Sequence, residues 1–443
     1  MAIVQAPAVR PTPTVTTPGV RDTGIDLVRS LCVIAVVLLH AIMVGVDVVD
    51  GRPVFDNAST GTWWIVPVSW ALQVMPLFFV IGGFSGLLAY RAVLARDGEA
   101  RSFVAGRVHR LLRPAVVTIA VIGAALGALL LLGVPADLVA VAGYRYGQPL
   151  WFLAVFLLCQ ALLPALANAH RVRPLLSLTL LVAAAVAVDM SRAISGIEAL
   201  GFLNLAFVWL ALQQIGFFLA DGRIDALSRR LRIRLALGAV VTLLLAFATG
   251  FWPADLIAHI NPPTIALILV GVAHTCALSL HRTRLAALSR RPVAALLMTF
   301  IGGRTMTIYL WHMPVLLAMA GATALVAIGE GTALPEIGGA DWWSGRPLWL
   351  AMALALTALV ALPFTRFETL RAPLPADTTR RLVLAVLSGL IGVVLLLVIG
   401  TTPITASIAV ALLVVALRLA AAPARDAKSS RLWLRSARPR VRA

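Results

Sequence analysis

The chain has 443 residues, 60% hydrophobic and 13% charged, with a mean hydropathy of +0.95. A soluble protein of this length needs more polar surface, and Ala- and Leu-rich apolar runs of about 20 residues suit helical spans, not barrel strands. The formal net charge of +18 sits in short connections between those runs, not on one soluble face, which argues against nucleic acid and for topology control and contact with anionic membrane lipids.

Residues 1–20, rich in Pro, Thr and Val, read as a disordered cytoplasmic tail. Twelve apolar spans follow, at roughly 28–46, 66–90, 114–134, 149–167, 174–190, 200–220, 233–251, 263–281, 305–328, 346–364, 381–400 and 403–422. Acidic Asp47 and Asp50 follow the first span without a small-residue cleavage site, so it reads as a retained helix, not a signal peptide. Residues 423–443 form a basic tail.

Charge alternates along this series. With the N-terminus in the cytoplasm, the connections expected on the outer side carry only Arg52, Arg145, Arg192 and Arg346 of the 37 Lys+Arg. The rest fall on the inner side, which predicts a multi-pass plasma-membrane protein with both termini cytoplasmic. The three cysteines, Cys32, Cys159 and Cys276, lie inside apolar runs and read as small core residues.

Ionisable groups inside a membrane are expensive, so each is a functional candidate. In the first span Arg29 starts the helix and His40 follows eleven residues later, about 16 Å deeper and on nearly the same face. Asp26 is one turn before Arg29, placed to hold its guanidinium. A buried neutral imidazole suits a general base toward a hydroxyl, although a histidine here can also simply tie helices together. Span two is interrupted at Pro76, and its Gly82-Gly83 pair permits close helix approach or passage of a flat or chain-like ligand.

Before span three, Arg110 and Arg113 stand one turn apart and offer two guanidinium forks suited to phosphate or pyrophosphate; contact with anionic lipid is the competing reading. Gln148-Pro149-Leu150-Trp151-Phe152-Leu153 opens span four, where Trp serves as an interfacial anchor. Gln213, Gln214 and His274 read as interhelical hydrogen bonders. Span nine begins at Arg304 and carries Tyr309 and His312, the latter about 12 Å in, so two histidines at comparable depth can line one cavity or support the fold. No spaced His, Cys or carboxylate set suggests a metal, and no Gly-rich phosphate loop suggests ATP hydrolysis.

Taken together, Arg29-x10-His40, the FFVIGGF stretch, Arg110-x-x-Arg113, PLWFL and TIYLWHMP resemble the acyltransferase-3 family of integral membrane O-acyltransferases, over roughly residues 22–370. The resemblance implies an all-α polytopic fold: a ten-helix acyltransferase domain at 21–370, here followed by two additional transmembrane helices at 371–422. It implies no tightly bound cofactor, an acyl-CoA donor such as acetyl-CoA reached from the cytoplasm, and a hydroxyl-bearing glycan, lipid or small-molecule acceptor. It implies His40 as the catalytic residue and Arg29, Arg110 and Arg113 as donor-binding residues; by their spacing and depth, Asp26, Tyr309 and His312 are expected to support or orient them. One departure is Gly82, where many members of the family have Ser. The rival reading is a multi-pass transporter of acyl groups or glycolipids; major-facilitator proteins share the span count, but the loop after span two here lacks the motif usual at that place in them.

Overall fold

The computed structural model describes residues 22–59, 62, 64–257 and 260–423; the tail at 1–20 and the basic tail beyond residue 423 lie outside the described residues. The chain opens with α1 (Thr23–Met43), a hairpin of β1 (Val44–Val49) and β2 (Arg52–Asn57), then α2 (Ile65–Leu72), α3 (Met75–Leu94) and α4 (Ala100–Leu131). It continues through α5 (Ala136–Gly147), α6 (Trp151–Val172), α7 (Pro174–Ser195), α8 (Asn204–Ala220) and α9 (Arg229–Ala248). The remainder comprises α10 (Ile265–Leu280), α11 (Arg282–Leu288), α12 (Pro292–Gly302), α13 (Thr305–Glu330), α14 (Ala340–Thr369), α15 (Thr379–Ile399) and α16 (Pro403–Ala420).

Among the described residues, eleven helical stretches are long and apolar enough to cross a membrane, and α10 with α11, bent by 68°, passes the same test as a pair, as a broken span or a re-entrant loop. The protein is thus an all-α polytopic membrane protein. Helix α8 lies at the centre, with 67% of its apolar window buried, while α7 and α9 bury only 11% of theirs. The exposed Leu and Val of α7 and α9 suit lipid contact, since lipid tails are as apolar as the side chains they meet.

Close packing at the centre explains the glycine pair in α3. A Cβ on Gly83 would lie 2.0 Å from the Gln213 carbonyl oxygen, and one on Gly216 would lie 2.1 Å from that of Val80. The two backbones therefore meet through glycines on both sides. Polar side chains join the same region: Gln213 donates to the Cys159 carbonyl at 3.1 Å, and Gln214 to that of Pro174 at 3.0 Å. His274 differs from expectation, because its Nδ1 is buried without a hydrogen-bond partner. All three cysteines are buried and free.

Two local expectations are corrected. The interruption in span two falls at Gln73-Val74, and Pro76 sits in the first turn of α3, where its missing N–H and fixed φ are tolerated. The first helix ends at Met43, and residues 44–57 form an antiparallel hairpin in which Val49 pairs with Arg52 around Asp50-Gly51. Both turn residues have positive φ, 51° and 72°, which an Asp-Gly pair accepts readily. Arg145 donates to the Phe55 carbonyl and Arg346 to that of Val44, holding the hairpin against α5 and α14.

Candidate active site

The start of α1 is pinned from two directions. Asp22 caps the helix by accepting from the Ile25 amide at 3.0 Å, and its second oxygen accepts from Arg282 of α11 at 2.7 Å. Arg282 also pairs with Asp225 of the α8–α9 connection. The register of α1, and so the heights of Arg29 and His40, is fixed from its first turn.

Arg29 pairs with Asp26 at 3.2 Å, as the one-turn spacing predicts, and also donates to the Ser85 hydroxyl of α3 at 2.5 Å. Ser85 in turn donates to the Ile81 carbonyl. Gly82 lacks the hydroxyl many family members carry there, and Ser85, which the sequence did not single out, supplies one beside Arg29. A Cβ at Gly82 would face the Phe156 ring at 3.1 Å, whereas Ser85, three residues on, reaches the arginine. Arg107 of α4 lies within electrostatic reach of both Arg29 and Arg110, so the three guanidinium groups gather on one face of the bundle. Glu368, at the end of α14, lies within reach of Arg110. Arg113 donates through one guanidinium nitrogen, Nη1, to the carbonyls of Leu370 and Arg371 at 2.9 and 3.0 Å.

Helix α13 is positioned by Glu368. Its buried carboxylate accepts from the amides of Met306 and Thr307 and from the Thr307 hydroxyl, the last at 2.9 Å. A carboxylate at a helix N-terminus answers both the unpaired N–H groups and the dipole. From that start, the Tyr309 hydroxyl donates to the Pro149 carbonyl at 2.5 Å, and its ring meets Phe152 with centroids 4.9 Å apart. The stretch at residues 148–153 is therefore a site wall. Trp151 lines the central cavity and stacks on Trp209.

His40 and His312 meet with ring centroids 4.9 Å apart and planes at 61°. His40 Nδ1 is 2.8 Å from the Val36 carbonyl, and His312 Nδ1 is 2.5 Å from that of Tyr309. A carbonyl only accepts, so each Nδ1 carries the proton and each Nε2 presents a lone pair. His312 is fully buried and its Nε2 has no hydrogen-bond partner, whereas His40 lines a cavity of about 940 Å³. Seven residues separate His312 from the start of α13, about 10 Å along its axis, and a further eighteen carry the helix onward. The pair therefore sits well inside the bundle, although His40 lies in the last turn of α1.

The cavity runs from Thr305 and Met306, at the basic end of α13, past His40 and Tyr309 to Asn57, Phe202 and Ile257 on the opposite face. Val33 is its lining residue nearest the start of α1, one turn from Arg29. The arginine cluster thus borders the cavity without lining it. The arrangement offers an imidazole lone pair in an apolar chamber, with positive charge near one end. The structure brings together Asp26, Arg29 and Ser85 in one group, and His40, Tyr309 and His312 in another.

A family model described as an acyltransferase domain, of the acyltransferase-3 type, matches residues 22–366, and the chain belongs to that family. No curated protein and no solved structure matches the chain.

Proposed function

We infer that this membrane acyltransferase moves an acyl group, acetyl in the simplest case, from an acyl-CoA donor on the cytoplasmic side to a hydroxyl of a glycan, glycolipid or other acceptor. The observation that carries this reading is the His40 imidazole. Its Nδ1 proton is committed to the Val36 carbonyl and its Nε2 lone pair is available to a cavity that begins one turn from Arg29.

Arg29, Arg107 and Arg110 hold the anionic phosphates of the donor, a task guanidinium forks suit. The thioester arm then extends along α1 past Val33 toward His40. Arg113 acts differently: it secures the end of α14, and with it Glu368 and the start of α13. At His40 the acceptor hydroxyl gives its proton to Nε2 as its oxygen attacks the thioester carbonyl carbon. The C–O bond forms and the C–S bond breaks. The departing sulfur takes the proton back from His40, leaving a thiol, an ester and a neutral imidazole. His312 and Asp26 touch neither reactant; they position His40 and Arg29.

Concentration of positive charge in the arginine-bearing connections supports an orientation with that face, and both ends of the described chain, toward the cytoplasm. Incubating membranes with radiolabelled acetyl-CoA, with and without the chain, tests the reading. Chain-dependent label in an alkali-labile ester supports it. Equal labelling of both membranes would remove it.

A further inference from the structure

Helices α15 and α16 follow the segment that matches the family, yet they are built into the walls of the bundle. The hairpin packs through small residues: a Cβ on Gly389 would lie 2.9 Å from Leu112 of α4, and one on Gly123 of α4 would lie 2.6 Å from Ala406. The turn between the two helices is seated on α5, because a Cβ on Gly143 would lie 1.9 Å from the Thr401 carbonyl oxygen. Leu396 and Val393 belong to the same buried cluster as Leu153 and Leu157 of α6. This seating places Val394, Leu396, Leu397 and Val398 on the wall of the cavity that holds His40.

The chemistry of that wall restricts what it can hold. Among the described lining residues there is no Asp, Glu, Lys or Arg. Polar side chains such as Asn57, Gln148 and Asn261 are neutral, and most of the remaining surface is aliphatic or aromatic. Burying a charged or heavily hydrated molecule against it would leave polar groups without partners. The rim has the same character: Val398 is 77% exposed while also lining the cavity, and Tyr144 and Phe202 are likewise exposed. It lies at the far end of α15 from the arginines, where a span meets the membrane boundary and amphiphilic molecules concentrate. About 940 Å³ is ample for a sizeable ligand.

We propose that the acceptor is an uncharged amphiphile, a hydroxyl on an apolar body, and that α15 forms the wall selecting it through Val394, Leu397 and Val398. This rests on the acyltransferase reading above and specifies its acceptor. The hydroxyl points to His40 Nε2, and the apolar body lies along α15 toward the rim.

Primary alcohols from butanol to decanol serve as probes, with glucose as the polar comparison, in membranes supplied with labelled acetyl-CoA. Wild type is expected to esterify decanol in preference to butanol and glucose. Partition into the bilayer also favours longer chains, so the comparison with a filled wall decides. Leu397→Trp is expected to lower transfer to decanol about tenfold more than transfer to butanol, because added bulk removes room for the chain. Val394→Ala, which enlarges the wall and does not depend on accommodating an indole, is expected to shift preference toward longer alcohols. Identical chain-length profiles in wild type and both variants overturn the proposal, as does preferential labelling of glucose or of a charged glycan. Those outcomes leave the acyltransferase reading intact. Absence of any His40-dependent ester defeats that reading, and the acceptor proposal with it.

Discussion

The His312 ring stands edge to face against the ring of His40, with centroids 4.9 Å apart, and is held there by its own bond to the Tyr309 carbonyl. Replacing His312 with Ala leaves a gap on one side of His40 and frees its ring to tilt. A misplacement of about 1 Å lowers turnover about 100-fold. His312→Ala is therefore expected to reduce kcat by about that factor, with a much smaller change in the KM for acetyl-CoA, measured by labelled transfer in membranes. A raised KM with kcat unchanged would assign His312 to donor binding instead.

Arg29 is held by Asp26 and by the Ser85 hydroxyl on a different helix. A hydrogen bond to a charged group contributes about 1.5–3 kcal/mol, so Ser85→Ala is expected to raise the donor KM about tenfold. Arg107→Ala and Arg110→Ala are expected to raise it as well, and Arg113→Ala to act mainly on stability, since its guanidinium is engaged by the end of α14. Initial rates across a range of acetyl-CoA concentrations separate these outcomes.

Glu368 joins α14 to the first turn of α13. Glu368→Ala leaves two amides and a hydroxyl without their acceptor, for a loss of about 2 kcal/mol. Thermal unfolding of the purified protein is expected to show a lower Tm. Glu368→Gln, which keeps one carbonyl oxygen, is expected to lose less.

Asp221, between α8 and α9, accepts from His170 at 3.1 Å and pairs with Arg91 at 2.7 Å. The bond from His170 and the charge of Arg91 hold its carboxyl below the usual range, against the opposing effect of burial. A carboxyl lowered by folding adds stability that is fully present above its unfolded value, about 4, and is lost as pH falls through the folded value. Asp221→Asn is thus expected to lower Tm at neutral pH and to converge with wild type in acid. A constant difference in Tm across pH would contradict this.

The spans were legible because apolar runs longer than a core helix leave few alternatives in lipid: among the described residues, eleven of the twelve expected segments fall on helices long enough to cross a membrane, and the eighth falls on the bent pair of α10 and α11. Pairing of Arg29 with Asp26 was legible for a similar reason, since both groups lie on one helix and spacing alone brings them together. The hairpin after α1 was missed although Asp50-Gly51 marks it, because its valines extended an apolar pattern already assigned to the helix. Ser85 and Glu368 were missed for a different reason. Each meets its partner across two helices, and such contacts depend on relative rotation, which periodicity within one helix does not report.

The meeting of His40 and His312 lay at the limit of sequence reading. Their comparable depths were calculable from helical rise, but the 4.9 Å approach depends on how the two helices sit against each other, and their starts are held by the cap at Asp22 and the carboxylate of Glu368. Arg113 shows the converse. One-turn spacing from Arg110 suggested a shared task, yet the carbonyls of Leu370 and Arg371, more than 250 residues away in sequence, take up its guanidinium.

The most direct test of the central claim is acyl transfer by His40→Ala, normalised to the amount of protein in the membrane and measured with labelled acetyl-CoA. Ester formation is expected to fall about 100-fold or more while the protein still inserts and accumulates, since positioned general bases contribute about 10²–10⁴-fold. Wild-type rates of ester formation in that variant would contradict it.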